Sequence, residues 1–221
     1  AKYNVVAFPA GNTGAQMGGW YRKEIKSLKD FQGLKFRIGG FGGTVVAGIG
    51  GVPQNIPGGE IYQALEKGTI DACEWVGPYD DLKLGFNKVA PYYYYPGWWE
   101  GGPEIDVMIN RDAYNKLPKE YQAIVSAASA KAMINMTAKY DARNPQALKT
   151  LLASGTKLRQ MPKDIMDAAF NFAMKSYDEL SDTNEDWKKI YSDYKGFRKD
   201  QNAWFRLTEG TFDRYMQQAK L

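Results

Sequence analysis

Glu74 and Trp75 stand side by side in IDACEWVGP, Ile70 to Pro78, where a short apolar run stops before a Val-Gly-Pro turn. Carboxylates are rarely buried unless they are paired or bound to metal. The pair is therefore either surface or part of a site that needs both a carboxylate and an aromatic wall. Arg37, in GLKFRI, is the second residue of interest. If that segment is a strand, Phe36 and Ile38 point to the opposite face. An arginine at the mouth of a strand can grip a carboxylate through two parallel hydrogen bonds. A structural salt bridge is the competing reading. Gln16 lies in the glycine-rich GNTGAQMGG that follows the first apolar run, and it offers an amide oxygen. In α/β folds ligands gather beyond the carboxyl ends of strands. An amide oxygen, a carboxylate, an arginine and an aromatic are thus compatible with one shared site. Oxygen donors without histidine or cysteine favour a hard cation.

Other chemistries are poorly served. The 221 residues include no histidine and a single cysteine, Cys73. Histidine-based triads, internal disulfides and cysteine-rich metal sites are excluded. Glu74, Asp80, Asp81, Glu100 and Glu104 could serve a carboxylate-using lyase or hydrolase, but their spacing singles out no pair. GNTGAQMGG lacks the Gly-Lys-Ser/Thr ending of a phosphate-binding loop, and IGGFGGTVV lacks the third glycine of a dinucleotide fingerprint. Net charge is +4, with basic and acidic residues interspersed, so nucleic acid is not expected as a partner. No apolar run approaches the roughly 18–20 residues that span a membrane. The 31 aromatic residues cluster at Tyr92 to Tyr95 and at Trp98-Trp99. Core packing is one reading of those clusters, and the wall of a small-molecule cleft is the other.

The elements that would position these groups follow from periodicity and breakers. Tyr3 to Phe8 reads as a strand stopped by Pro9, followed by a glycine-rich loop to Gly19 and a short helix over Trp20 to Ile25. Gly33 marks a turn before a strand from Lys35 to Ile38. GGFGGTVVAGIGG allows close backbone approach and then a short helix. VPQNIP is extended. Glu60 to Glu66 reads as a helix with Ile61 and Leu65 on one face and Gly68 as its stop. Ile70 to Cys73 and Glu104 to Asn110 read as strands. Pro118 opens a long helical region in which Pro145 forces a break or kink. Leu158 to Met161 is a short strand, and a helix follows Pro162 through Ile165, Ala169 and Phe172. Asn184 to Leu221 is a final aromatic-rich helical stretch weakened at Gly196 and Gly210. Strands alternate with helices, so the class is α/β.

FPAGNTGAQMGGW, GLKFRI, GGEIYQALEKGTIDACEWVGP and YYPGWWEGGPEIDVMIN, in this order, resemble one family over essentially the whole chain. It is the solute-binding proteins of tripartite ATP-independent periplasmic (TRAP) transporters, in the subgroup that binds 2-oxo or 2-hydroxy monocarboxylates with a metal ion. The resemblance implies a periplasmic-binding-protein-like two-lobe fold with long C-terminal helices, a periplasmic location, and delivery of solute to membrane subunits of a transporter. It gives Arg37 to the solute carboxylate. It gives Gln16, Glu74 and the Trp75 carbonyl to a sodium or calcium ion, with Trp75 also lining the pocket. Glu100, Asn12 and Trp20 are further ligand-binding candidates.

The chain opens on a strand-like YNVVAF with no visible signal peptide, so the resemblance also implies an incomplete first lobe. Its expected divisions are 1–56 in the second lobe, 57–101 returning to the first, 102–183 completing the second, and 184–221 as a helical tail. That tail packs across one chain or exchanges with a second subunit to form a homodimer. A solute-sensing receptor that is not part of a transporter would use the same site.

Overall fold

A computed structural model of the chain describes residues 3–219. The strands are β1 (Val5–Gly11), β2 (Trp20–Tyr21), β3 (Lys35–Arg37), β4 (Val52–Gln54), β5 (Ala72–Cys73), β6 (Tyr92–Tyr95), β7 (Ile105–Asn110) and β8 (Lys157–Gln160). The helices are α1 (Gly40–Gly48), α2 (Ile61–Lys67), α3 (Pro78–Leu84), α4 (Arg111–Asn115), α5 (Lys119–Ala153), α6 (Lys163–Thr183), α7 (Glu185–Leu207) and α8 (Glu209–Gln218). The chain divides into two compact units, Ala1–Phe170 and Asn171–Leu221.

In the first unit a six-stranded mixed sheet has the order β4-β3-β5-β2-β6-β8. β3 runs parallel to β4 and β5, β2 runs antiparallel to β5 and β6, and β6 runs parallel to β8. Its central strands have apolar or aromatic side chains on both faces, as a sheet covered on both sides requires. Phe36, Ala72, Cys73, Trp20, Tyr21, Tyr93 and Tyr94 are all buried. Ile61 and Leu65, one turn apart on α2, join Trp20, Ile70, Phe86 and Leu151 in the core beneath it. Gly68 ends α2 at φ 74°, the left-handed conformation that glycine adopts without a Cβ penalty. A separate two-stranded antiparallel sheet pairs β1 with β7, and α5 packs against β1. Ile105, Val107 and Met108 of β7 are exposed.

Several elements depart from the sequence-based expectation. β1 continues through Pro9, which lies opposite Asp106, and the register shifts between Pro9 and Gly11. A proline is tolerated in an edge strand or at a bulge, where its missing N–H breaks no ladder. The expected helix from Trp20 to Ile25 does not form. Trp20 and Tyr21 are instead a strand, Trp20 lying opposite Cys73 on one side and Tyr93 on the other. Long-range pairing and burial of two aromatics outweigh local helix preference there.

α5 carries Pro145 inside it and is not broken. On the turn before the proline, the Asn144 side chain accepts from Tyr79 N at 3.0 Å, and Tyr140 donates its hydroxyl to Asp80. Ala147 and Leu151 are buried on the turns after it. The helix is anchored on both sides of the one lost hydrogen bond.

The expected lobe boundaries at 56 and 101 are crossed by the large sheet. β5 and β6 of the 57–101 segment pair with β3 and β2 of the first segment, and β8 of the third completes the edge.

In the second unit the Asn184 side chain caps α7 by accepting from Trp187 N at 3.0 Å. Trp187 stacks on Tyr191 with ring centroids 5.7 Å apart, and its indole N–H donates to the Tyr177 carbonyl at 3.0 Å. The interruption between α7 and α8 falls at Thr208, and Gly196 sits inside an unbroken helix. One interior glycine costs a helix about 1 kcal/mol, too little to end it. Ile190, Tyr194, Phe197, Trp204, Phe205, Phe212 and Tyr215 remain exposed.

Candidate functional site

Register places the central pair. β3 and β5 are parallel with Arg37 opposite Cys73, so Glu74 and Trp75 emerge beside Arg37 at the carboxyl ends of both strands. Glu74 N–H donates to the Arg37 carbonyl at 3.1 Å and extends the ladder by one bond. The Arg37 guanidinium forms an ion pair with the Glu74 carboxylate, and the two side chains are only 15% and 14% exposed. Arg37 Nε donates to the Ile56 carbonyl at 3.0 Å, and Nη1 reaches the Glu74 carbonyl at 3.4 Å. The guanidinium carbon lies 5.2 Å from the centroid of Trp75, within cation–π range. Gly58 is needed below that indole, since a Cβ there would come within 2.6 Å of Trp75 Cη2.

The Gln16 loop is tied to the same place by its backbone. Met17 N–H donates to the Val76 carbonyl at 3.2 Å, directly after Glu74 and Trp75. Gly18 N–H donates to Tyr94 at 2.7 Å, and Gly97 N–H donates to the Gln16 carbonyl at 2.9 Å. Gly19, at φ 85°, packs so closely on the Cys73 carbonyl that no side chain fits. Gly18 and Gly19 of GNTGAQMGG thus serve close approach between β2, β5 and the segment after β6. Gln16 itself is buried, and its side-chain oxygen accepts from Trp99 Nε1 at 3.1 Å. Its N–H donates to the Glu100 carbonyl at 3.4 Å, which brings Glu100 alongside.

Burial governs the acidic groups. Glu74 is pushed up to about 7, first by desolvation, with Arg37 opposing and the charges of Glu100 and Asp81 adding to the rise. Glu100 is also raised by desolvation. Asp81 is pushed up to about 6 by full burial, against hydrogen bonds from Tyr93, Trp20 and the backbone. Tyr93 donates its hydroxyl to Asp81 at 2.7 Å, Trp20 its indole N–H at 2.9 Å, and Val76 its backbone N–H at 3.3 Å. Asp81 therefore braces the turn that carries Glu74 and Trp75.

The structure thus draws Arg37, Glu74 and Trp75 together and ties the loop of Gln16 and the segment of Glu100 to them. It does not bring Trp20 into the open. Trp20 is fully buried in β2, stacked on Tyr93 at 3.9 Å and hydrogen-bonded to Asp81, so its role is structural. Asn12 uses its side-chain oxygen to accept from Gly14 N at 2.7 Å, and its carbonyl accepts from Thr137 Oγ1 at 3.3 Å. That is the geometry of a turn-forming asparagine.

The Ile56 carbonyl is a participant that the sequence did not reveal, and the partners of Trp99 and Asp81 were not legible there. Trp99 and Gln16 lie 83 residues apart in the chain, and Trp20 and Asp81 lie 61 apart. Tyr92 to Tyr95 form β6, in which Tyr93 and Tyr94 fall to the core reading and Tyr95 is exposed.

No group of three or more histidine, cysteine, aspartate or glutamate side chains able to hold a metal occurs among the described residues. A cation here would rely on mixed oxygens: the Gln16 amide, the Glu74 carboxylate and the Trp75 carbonyl. The last of these accepts no hydrogen bond among the described residues. Such a set suits a hard ion, which binds carbonyl and carboxylate oxygens alike.

Comparison with known proteins identifies the family. Residues 1–184 match the model of the family described as bacterial extracellular solute-binding protein, family 7. A monocarboxylate 2-oxoacid-binding periplasmic protein of Nostoc sp. strain PCC 7120 is 52% identical over 215 residues, covering 97% of this chain and 59% of that protein. A TRAP transporter solute-binding protein of Bordetella bronchiseptica RB50 is 55% identical, with a TM-score of 0.95 over 97% of this chain and 64% of its own. Its crystal structure is a mixed-occupancy dimer with copurified calcium and picolinate in the active site. The TRAP periplasmic solute-binding protein of Colwellia psychrerythraea, with bound calcium and pyruvate, is 40% identical, with a TM-score of 0.93 over 97% of this chain and 66% of its own. That of Pseudoalteromonas atlantica T6c, with bound sodium and pyruvate, is 39% identical, with a TM-score of 0.91 over 99% of this chain and 66% of its own. The chain thus spans about three fifths of the length of the curated relative it matches.

Proposed function

The chain belongs to family 7 of the bacterial extracellular solute-binding proteins, the TRAP solute receptors, and from that membership we propose that it binds a small 2-oxo or 2-hydroxy monocarboxylate together with a sodium or calcium ion. One observation carries the reading. A guanidinium, a carboxylate and a main-chain carbonyl that accepts no hydrogen bond among the described residues are gathered at the ends of β3 and β5, with the Gln16 loop tied to the next residue. Calcium or sodium bound by similar proteins, with pyruvate or picolinate, supports the same assignment.

Arg37 takes the solute carboxylate. Its Nε is fixed on Ile56, which sets the plane of the guanidinium, and a planar fork matches a carboxylate through two hydrogen bonds. Gln16, Glu74 and the Trp75 carbonyl hold the cation. The cation, when bound, supplies positive charge to the oxygen beside the solute carboxylate. Trp75 excludes water from one side, and the low dielectric it creates strengthens each charge contact. Glu100 lies close enough for its charge to raise Glu74 and is the further ligand-binding residue of this reading.

The solute would then pass to membrane subunits of a TRAP transporter, and the place of action would be the periplasm. The protein is a receptor rather than an enzyme. The exposed aromatic face of α7 and α8 would meet a second subunit in a homodimer, by exchange of these helices.

Calorimetric titration of the chain with pyruvate, with calcium or sodium present and with chelator, tests the proposal. Cation-dependent binding at one site per chain is expected. Binding that ignores both cations, or turnover of the solute, would contradict it.

A further inference from the structure

The proposed function gives Arg37 to the solute and Glu74 to the cation, yet the two side chains are partners of one another. The guanidinium and the carboxylate form an ion pair in which both are largely buried. Nε of Arg37 is engaged with the Ile56 carbonyl at 3.0 Å, so the arginine is held in place while its Nη1 faces Glu74. Main-chain contacts hold Glu74 as well, its N–H donating to the Arg37 carbonyl at 3.1 Å. Arg37 is anchored through its Nε and Glu74 through its backbone; what can change is which charge the guanidinium and the carboxylate each face.

We propose that the Arg37–Glu74 ion pair is an internal competitor for both ligands, so that cation and carboxylate displace it together. The inference deepens the proposed function, on which it rests, by naming what sets the linkage between its two ligands. Charge balance is the physical argument. A cation that took Glu74 alone would leave the Arg37 guanidinium buried beside it without a counterion. A carboxylate that took Arg37 alone would leave Glu74 and the solute as two anions sharing one guanidinium. When both ligands enter, each of the four charges faces an opposite one. The linkage therefore originates in the protein's own pair, in addition to any direct contact between the ligands. It also makes the site selective against lone carboxylates and lone cations. A guanidinium that kept Glu74 on Nη1 and received the solute on its other edge would give no such competition.

The test separates these cases by removing one member of the pair. Glu74→Gln keeps the shape and an oxygen acceptor but removes the anion. Pyruvate is titrated into the wild-type chain and into E74Q with chelator present throughout. Release of Arg37 from its internal partner predicts binding to E74Q at least about tenfold tighter than to wild type, because the competent state is no longer taxed by the pair. Equal or weaker binding would overturn the proposal and leave Glu74 as a metal ligand only. The reciprocal experiment titrates calcium alone into Arg37→Gln, where freed Glu74 predicts a gain of about tenfold over wild type with calcium alone. An unchanged or lower calcium affinity would overturn the proposal. Thermal unfolding checks that each variant folds, and either variant decides the question if the other does not fold. Failure of the proposed function itself reads differently: the wild type would then not bind pyruvate even with calcium present.

Discussion

Asp81 offers the sharpest stability test, because its carboxylate is both fully buried and fully used. It is 1% exposed and accepts from Trp20, Tyr93 and Val76. Asp81→Ala would strand two buried side-chain donors and one backbone donor. Each unsatisfied group costs about 1–3 kcal/mol, so a loss of about 3–9 kcal/mol is expected. Asp81→Asn is different. Its oxygen can accept from Trp20 and Tyr93, while its amide opposes Val76 N–H.

The sign of the pH dependence follows from the raised pKa. The folded-state value is about 6 against an ordinary 3.8, because desolvation outweighs the hydrogen bonds. Below pH 4 the group is neutral in both states and its full contribution is present. Between pH 4 and 6 the unfolded chain ionises first, so the contribution of Asp81 to stability falls by about 3 kcal/mol over that window, at about 1.4 kcal/mol per pH unit. Above pH 6 the deficit is constant. D81N cannot lose that proton, so its stability relative to wild type should improve across the window and lie within about 1 kcal/mol of it at pH 7. Urea unfolding followed by near-ultraviolet circular dichroism, at half-unit steps from pH 4 to pH 7, gives both profiles. Parallel profiles for wild type and D81N would refute the reasoning, since Asp81 would then not be the group that titrates.

Three further outcomes are expected. Trp99→Phe removes the donor that orients the Gln16 side-chain oxygen while keeping the ring against Phe36, so calcium affinity should fall by about tenfold in a competition assay with a fluorescent chelator; an unchanged affinity would detach Trp99 from the site. Gly19→Ala places a Cβ against the Cys73 carbonyl at φ 85° and should lower stability by at least about 2 kcal/mol in chemical denaturation. A neutral result would mean that β2 and β5 can separate without penalty. Replacing exposed Phe197 and Trp204 together by serine should shift a dimer to the monomer mass in light scattering; an unaltered mass would place the subunit contact elsewhere.

Sequence reasoning reached whatever is encoded locally. α2 was legible because Ile61 and Leu65 are spaced for one helical face and Gly68 supplies the stop. Arg37 and Glu74 were legible as chemistry because an arginine and an acid at the ends of apolar runs call for partners. That they partner one another was not legible, since it depends on the parallel register of β3 and β5, which joins Arg37 to Cys73. Trp20 was misplaced for the same reason: its strand neighbours Cys73 and Tyr93 lie more than 50 residues away. Asp81 looked like one of several loose acids until Trp20, Tyr93 and Val76 closed around it. Pro9 was read as a strand stop, yet an edge strand with a shifted register accommodates it, and Pro145 was read as a break or kink, yet the helix continues through it.

The central claim is that one site holds a carboxylate on Arg37 and a cation on Gln16, Glu74 and Trp75. A crystal of the chain grown with calcium and pyruvate, with anomalous scattering recorded from the calcium, tests it most directly. The account predicts an anomalous peak coordinated by the Gln16 side-chain oxygen, the Glu74 carboxylate and the Trp75 carbonyl, with the pyruvate carboxylate on the Arg37 guanidinium. Calcium bound elsewhere, or pyruvate bound with Arg37 still held by Glu74 and not touching it, would contradict it.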